Sequence, residues 1–115
     1  LAALEQGVVM ILDHSEGCYP CVQQTAICES VYATYPELRY FDLSSGTDEP
    51  DSSEAFAAYD PNGGVHYVPL TIIVTKAMDG YGNEVVAWHS WEGVVDEVTL
   101  TSWVQDAQSY FDDSA

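Results

Sequence analysis

The sequence predicts an α/β domain, with a mixed central sheet of four strands, or five, flanked by helices on both faces. Three patterns carry that expectation. Strand-like and helix-like segments alternate over residues 8–12, 18–35 and 38–43, and parallel strands require such a crossover helix. Asp79-Gly80-Tyr81-Gly82-Asn83 separates two further strand-like runs, as a hairpin turn would. The last segment repeats apolar residues at helical spacing, the mark of a helix lying on a sheet.

Residues 1–6 have helical composition and Gly7 suits a C-cap, so the chain should open on the tail of a helix. Residues 8–12, Val-Val-Met-Ile-Leu, form an unbroken apolar run, the pattern of a central strand covered on both faces. From Cys18 to Tyr35 apolar residues recur at Val22, Ala26, Val31 and Ala33 before Pro36, which predicts a helix of about four to five turns. Residues 38–43 read as a second strand. The Ser-, Asp-, Gly- and Pro-rich stretch 44–66 holds a short helix over 53–59, with Ser52 or Ser53 as its cap. Connections of this length are usually functional or mobile. Residues 68–74 are a third strand and 84–88 a fourth, antiparallel to it. Residues 99–111 form the final helix, with Leu100, Trp103, Val104, Ala107, Tyr110 and Phe111 at three-to-four spacing. No internal repeat is visible.

At 115 residues and 12.6 kDa, residues 1–115 amount to one domain, large enough to bury roughly two-thirds of its unfolded surface. A monomer is expected. Nineteen Asp and Glu against two Lys and Arg give a net charge of −17. Such a field repels phosphate, and Arg39 and Lys76 cannot make a basic patch, so nucleic acid and anionic membranes are poor partners. The acid is spread along the chain, which suits either a solvated shell for high salt, as in a halophile, or steering toward basic partners. Thermal unfolding against KCl separates the two. No apolar run is long enough to span a bilayer. The chain opens on Leu without the order of a signal peptide, so residue 1 is not expected to be the natural start.

The chemistry concentrates at Cys18-Tyr19-Pro20-Cys21, where the first strand gives way to the first helix. A helix N-terminus presents unpaired N–H groups and the positive end of the macrodipole, and both favour thiolate over thiol. That is the environment a redox nucleophile needs.

Three elements in order resemble the thioredoxin superfamily: Cys18, Pro20 and Cys21 after a buried strand, Val68-Pro69 opening a later strand, and Gly93 after the last. The match spans the chain apart from the family's first strand, which is expected to be missing or truncated. The resemblance implies a thiol–disulfide oxidoreductase with Cys18 as attacking thiolate and Cys21 as resolving thiol. It implies a cis Val68–Pro69 bond whose backbone binds substrate, and a rim of Tyr19, Pro20, Val68, Pro69 and Gly93. Protein disulfides and an external reductase are then the partners, and the dithiol itself serves in place of a cofactor. Where the family has a buried acid this chain has Leu12, with Asp13 next to it. Asp13 either reaches beneath Cys21 as a proton acceptor or is turned by strand alternation to the other face. Gly17 replaces the Trp that usually precedes the motif, and His14 stands where an aromatic residue is common. The dipeptide between the cysteines lacks the His of strong oxidants, which places the potential toward the reducing end. A titrated value above about −180 mV would overturn that.

Other residues draw blander readings. Cys28, seven after Cys21, points into the core as an inert thiol. Cys18 and Cys21 with His14, His66 or His89 lack zinc-site spacing, and no metal is expected. Trp88, Trp91 and Trp103 read as core, and the acidic stretch 47–51 as solvated loop rather than a calcium site. Two rivals remain: a thioredoxin-fold binding module with a static disulfide, and a glutaredoxin-type enzyme using glutathione. The second suffers from the scarcity of cations to hold glutathione carboxylates. No compartment follows, with the cytoplasm slightly favoured.

Overall fold

The apolar run becomes β1 (Val9–His14), the buried axis of a four-stranded sheet in a computed structural model that describes residues 2–44, 47–48, 50–60 and 67–114. Along the chain follow α1 (Tyr19–Thr34), β2 (Arg39–Ser44), α2 (Asp51–Tyr59), β3 (Leu70–Met78), β4 (Glu84–Glu92) and α3 (Glu97–Ser114). The strand order is β2-β1-β3-β4, with β1 parallel to β2 and both other pairs antiparallel. That is the expected mixed α/β sheet.

β1 runs two residues past its apolar stretch because Asp13 and His14 continue the parallel ladder opposite Leu43 and Ser44. β3 and β4 likewise outrun their apolar cores, closing at the pair Met78 and Glu84. The turn between them is held by Asp79, whose carboxylate accepts the N–H groups of Tyr81 at 2.8 Å and Asn83 at 2.9 Å. These bonds, Asn83 foremost, hold its carboxyl below the usual range. At the chain's start a single 3-10 turn, Ala2–Glu5, stands where a helix tail was expected.

Strand alternation sorts the core into two layers. Val8, Met10, Leu12 and Ile73 meet Cys28 and Val31 of α1 and Leu100, Val104 and Ala107 of α3. Val9, Ile11, Leu70, Ile72 and Val74 meet Ala55 and Phe56 of α2 on the opposite face. Each fully buried aliphatic side chain contributes about 1.5–3 kcal/mol relative to exposure. Helices therefore flank both faces.

The structure refines one expectation and corrects two. The buried stripe of α1 is Cys21, Gln24, Cys28 and Val31, whereas Val22 is 67% exposed and Ala26 and Ala33 face solvent. The helix itself is as expected, but of the recurring apolar positions that predicted it Val31 alone is buried. Ser52 does not cap α2, whose N-cap is Pro50 without a side-chain bond; its hydroxyl donates instead to Asp13 Oδ1 at 2.7 Å. Of the three tryptophans only Trp91 packs on the core, while Trp88 and Trp103 are 45% and 39% exposed. Trp103 stacks flat on His89 with centroids 4.2 Å apart, and Trp88 meets Tyr59 edge-on at 5.3 Å. Trp88 belongs to the edge strand β4, and Trp103 packs over that strand through His89.

His66, Glu49 of the acidic stretch and much of the 44–66 connection lie outside the described residues. Among the described residues no helix is long and apolar enough to cross a membrane, and no cluster of His, Cys, Asp and Glu could hold a metal ion.

Candidate functional site

β1 delivers the chain to Cys18 through Ser15, Glu16 and Gly17. Gly17 sits at φ +74°, a left-handed backbone that a Cβ would strain. Cys18 is extended, with φ −97° and ψ 105°, and is the N-cap of α1: its Sγ accepts the N–H of Cys21 at 3.2 Å. Oxygen side chains usually fill this position; here a sulfur does. Pro20 in the first turn removes an N–H that would have had no helical partner.

Cys18 and Cys21 are joined in a disulfide with Cα atoms 5.1 Å apart. The pair is asymmetric. Cys18 is partly exposed at the tip, and Cys21, one turn inward, is 2% exposed. Tyr19, 73% exposed, and Pro20 stand on the outer rim.

Across from the helix start, the Val68–Pro69 peptide bond is cis. Cys18 Sγ lies 4.0 Å from the Val68 carbonyl oxygen, and the N–H of Gly93 donates to the Pro69 carbonyl at 2.9 Å. Gly93 has φ +81°, so glycine is needed where the chain leaves β4. The residues singled out in the sequence thus converge at one end of the sheet. The Val68 carbonyl faces the more exposed of the two sulfurs.

Asp13 is the exception. It is fully buried on the α2 face, bonded to Ser52, while Leu12 faces Cys28 and Val31 of α1. Of the two placements open in the sequence, strand alternation selects the one away from α1. His14 returns to the α1 face, where its Nε2 bonds Asp42 Oδ1. It lines an open groove of about 680 Å³ together with Cys18, Cys21, Thr25, Glu29 and Ser44.

Gln24 escaped the sequence reading. It is wholly buried, its Oε1 accepting the Val95 N–H at 2.8 Å and its Nε2 donating to Cys28 Sγ at 3.7 Å. It therefore pins α1 to the segment that follows Gly93. The one available signal was its spacing from Cys21 and Cys28, at three and four residues on one helical stripe. Cys28 is a buried free thiol, pushed up to about 11 chiefly by that burial.

No protein-family model matches the chain, and no curated protein matches it in sequence. Solved structures do. A chloroplastic thioredoxin z superposes with a TM-score of 0.64 at 13% identity, covering 94% of this chain and 86% of its own. The chain has the thioredoxin fold. Thioredoxin from Fasciola hepatica aligns at TM-score 0.61 and 15% identity over 89% of this chain and 82% of its own. Thioredoxin from Trichomonas vaginalis aligns at 0.61 and 16% over 91% and 85%. Within the thioredoxin fold, the Cys18–Cys21 pair sits at the strand-to-helix junction and the cis proline stands opposite.

Proposed function

We propose that this chain is a thiol–disulfide oxidoreductase that reduces protein disulfides through Cys18 and Cys21, without another cofactor. The observation that carries this reading is the Cys21 N–H held on Cys18 Sγ at 3.2 Å, at the head of a 16-residue helix. In the reduced protein, that N–H and the positive helix end stabilise a thiolate on Cys18.

The Cys18 thiolate attacks one sulfur of a substrate disulfide and forms a mixed disulfide, releasing the other substrate sulfur as thiolate. Cys21 then attacks Cys18 Sγ, expels the second substrate thiol and leaves the Cys18–Cys21 disulfide. Two electrons pass to the substrate, and an external reductase returns them. The Val68 backbone beside Cys18 is placed to pair with an extended substrate segment. Tyr19, Pro20, Pro69 and Gly93 form the surrounding rim. Backbone pairing makes recognition tolerant of substrate sequence.

Insulin-disulfide reduction with dithiothreitol tests the assignment. Wild type should accelerate the reduction and Cys18→Ser should abolish the acceleration. A wild-type protein with no activity, or a Cys18→Ser protein that keeps it, would return the chain to the static-disulfide binding module.

A further inference from the structure

Given thiol–disulfide exchange at this pair, the closing step imposes a requirement of its own. Cys21 must lose a proton before its sulfur can displace the substrate, because thiolate is the nucleophile. At 2% exposure Cys21 has little access to bulk water. A side-chain acceptor therefore belongs close by.

The buried neighbours do not supply one. Leu12 is hydrocarbon, and Asp13 lies on the opposite face with its Oδ1 taken by Ser52. Gln24 is an amide whose oxygen is engaged by the Val95 N–H. Cys28 is itself a protonated thiol in the core.

We infer that His14, oriented by Asp42, accepts the Cys21 proton as the disulfide closes and returns it to the departing substrate sulfur. Three observations support this. First, β1 alternation puts His14 two residues beyond Leu12 on the α1 face, and it lines the same groove as Cys18 and Cys21. Second, a carboxylate accepts and does not donate, so the bond to Asp42 requires the hydrogen on Nε2. In the neutral ring Nδ1 then keeps its lone pair for a proton. Third, the other bases of the groove, Glu16 and Glu29, are exposed carboxylates. A reference carboxylate lies about four pK units below a thiol and an imidazole about two, so imidazole is the better-matched acceptor.

The described titratable groups on the elements that face His14 are Asp42, with Tyr40 near it, on β2, Asp48 bonded to the Ser44 N–H, Glu16 in the loop, and Tyr19 and Glu29 on α1. Burial pushes the Tyr40 phenol up, so it stays neutral across the working range. In the balanced step the Cys21 S–H bond breaks toward Nδ1, directly or through one water in the groove. The new S–S bond to Cys18 forms as the bond from Cys18 to substrate breaks, and the imidazolium proton passes to the leaving sulfur. Asp42 acts only as a positioning residue.

Reduced protein mixed with a limiting aromatic disulfide reagent gives a direct readout. One coloured thiolate is released as Cys18 is modified and a second as Cys21 closes the ring. Followed between about pH 5 and 9, the second phase in wild type should show a limb that His14→Gln removes, with a loss of about tenfold to a hundredfold at neutral pH. Asp42→Asn should lose less. Added imidazole should restore the second phase of His14→Ala, which a purely structural defect would not allow. An unchanged pH profile in His14→Gln, or failure of imidazole to rescue His14→Ala, overturns the role of His14. Absence of the second release from wild type instead overturns thiol–disulfide exchange itself.

Discussion

The two faces of the sheet are built from the same aliphatic material and carry opposite polar cargo. On the α2 face a buried carboxylate, Asp13, is tied to the Ser52 hydroxyl. On the α1 face a fully buried leucine takes the equivalent depth and an imidazole, His14, follows at the groove. These residues are consecutive in β1, and the two-residue period of a strand sends neighbours to opposite sides. Parity along the strand, more than nearness to the cysteines in sequence, decides which groups can take part in their chemistry.

Substitutions can break that contrast, beginning with the largest effect. Leu12→Ala removes a buried side chain packed with Cys28 and Val31 and should cost about 2–5 kcal/mol in denaturant unfolding. A loss no larger than that of a surface substitution would remove Leu12 from the α1 layer. Cys28 offers a pH test of the same layer. Its thiol rises from 9.0 to about 11 on folding, so below pH 9 both states hold the proton and stability is intact. As the pH climbs the unfolded chain ionises first, and about 2–3 kcal/mol should be lost by the time the folded thiol titrates. Cys28→Ala should flatten that alkaline limb; an unchanged limb would assign it to other groups. Ser52→Ala sharpens the comparison from the other face. It strips a bond from Asp13 and should cost about 1–3 kcal/mol with no change in thiolate release. A slowed release would connect the two faces.

Much of this was legible because hydrophobic period and turn chemistry act locally. The 8–12 run, the Asp79 turn and the C-terminal amphipathic pattern each marked an element, and Pro36 marked the end of α1 to within two residues. The grouping of the cysteine motif, Val68-Pro69 and Gly93 at one site came from the family resemblance instead, and the structure brings them to one end of the sheet. The failures share a different cause. Ser52 had every attribute of a helix cap, yet a buried carboxylate across the core is the stronger claimant for its hydroxyl. Gln24 carried no reading in the sequence, because the partner that fixes its buried position is the distant Val95 amide. The far end of β1 is polar and those of β3 and β4 mix polar and apolar residues, and ladder pairing rather than hydrophobic pattern extends all three. Partners of that kind lie up to 71 residues away along the chain, beyond any sequence window.

The sulfur that caps α1 is also the atom that would exchange partners with substrate. Each change in its bonding must alter the side-chain grip on the Cys21 amide, so the opening turn of the helix becomes a gauge of oxidation state. Hydrogen–deuterium exchange at that single amide, compared between oxidised and reduced protein, would register turnover without any added label.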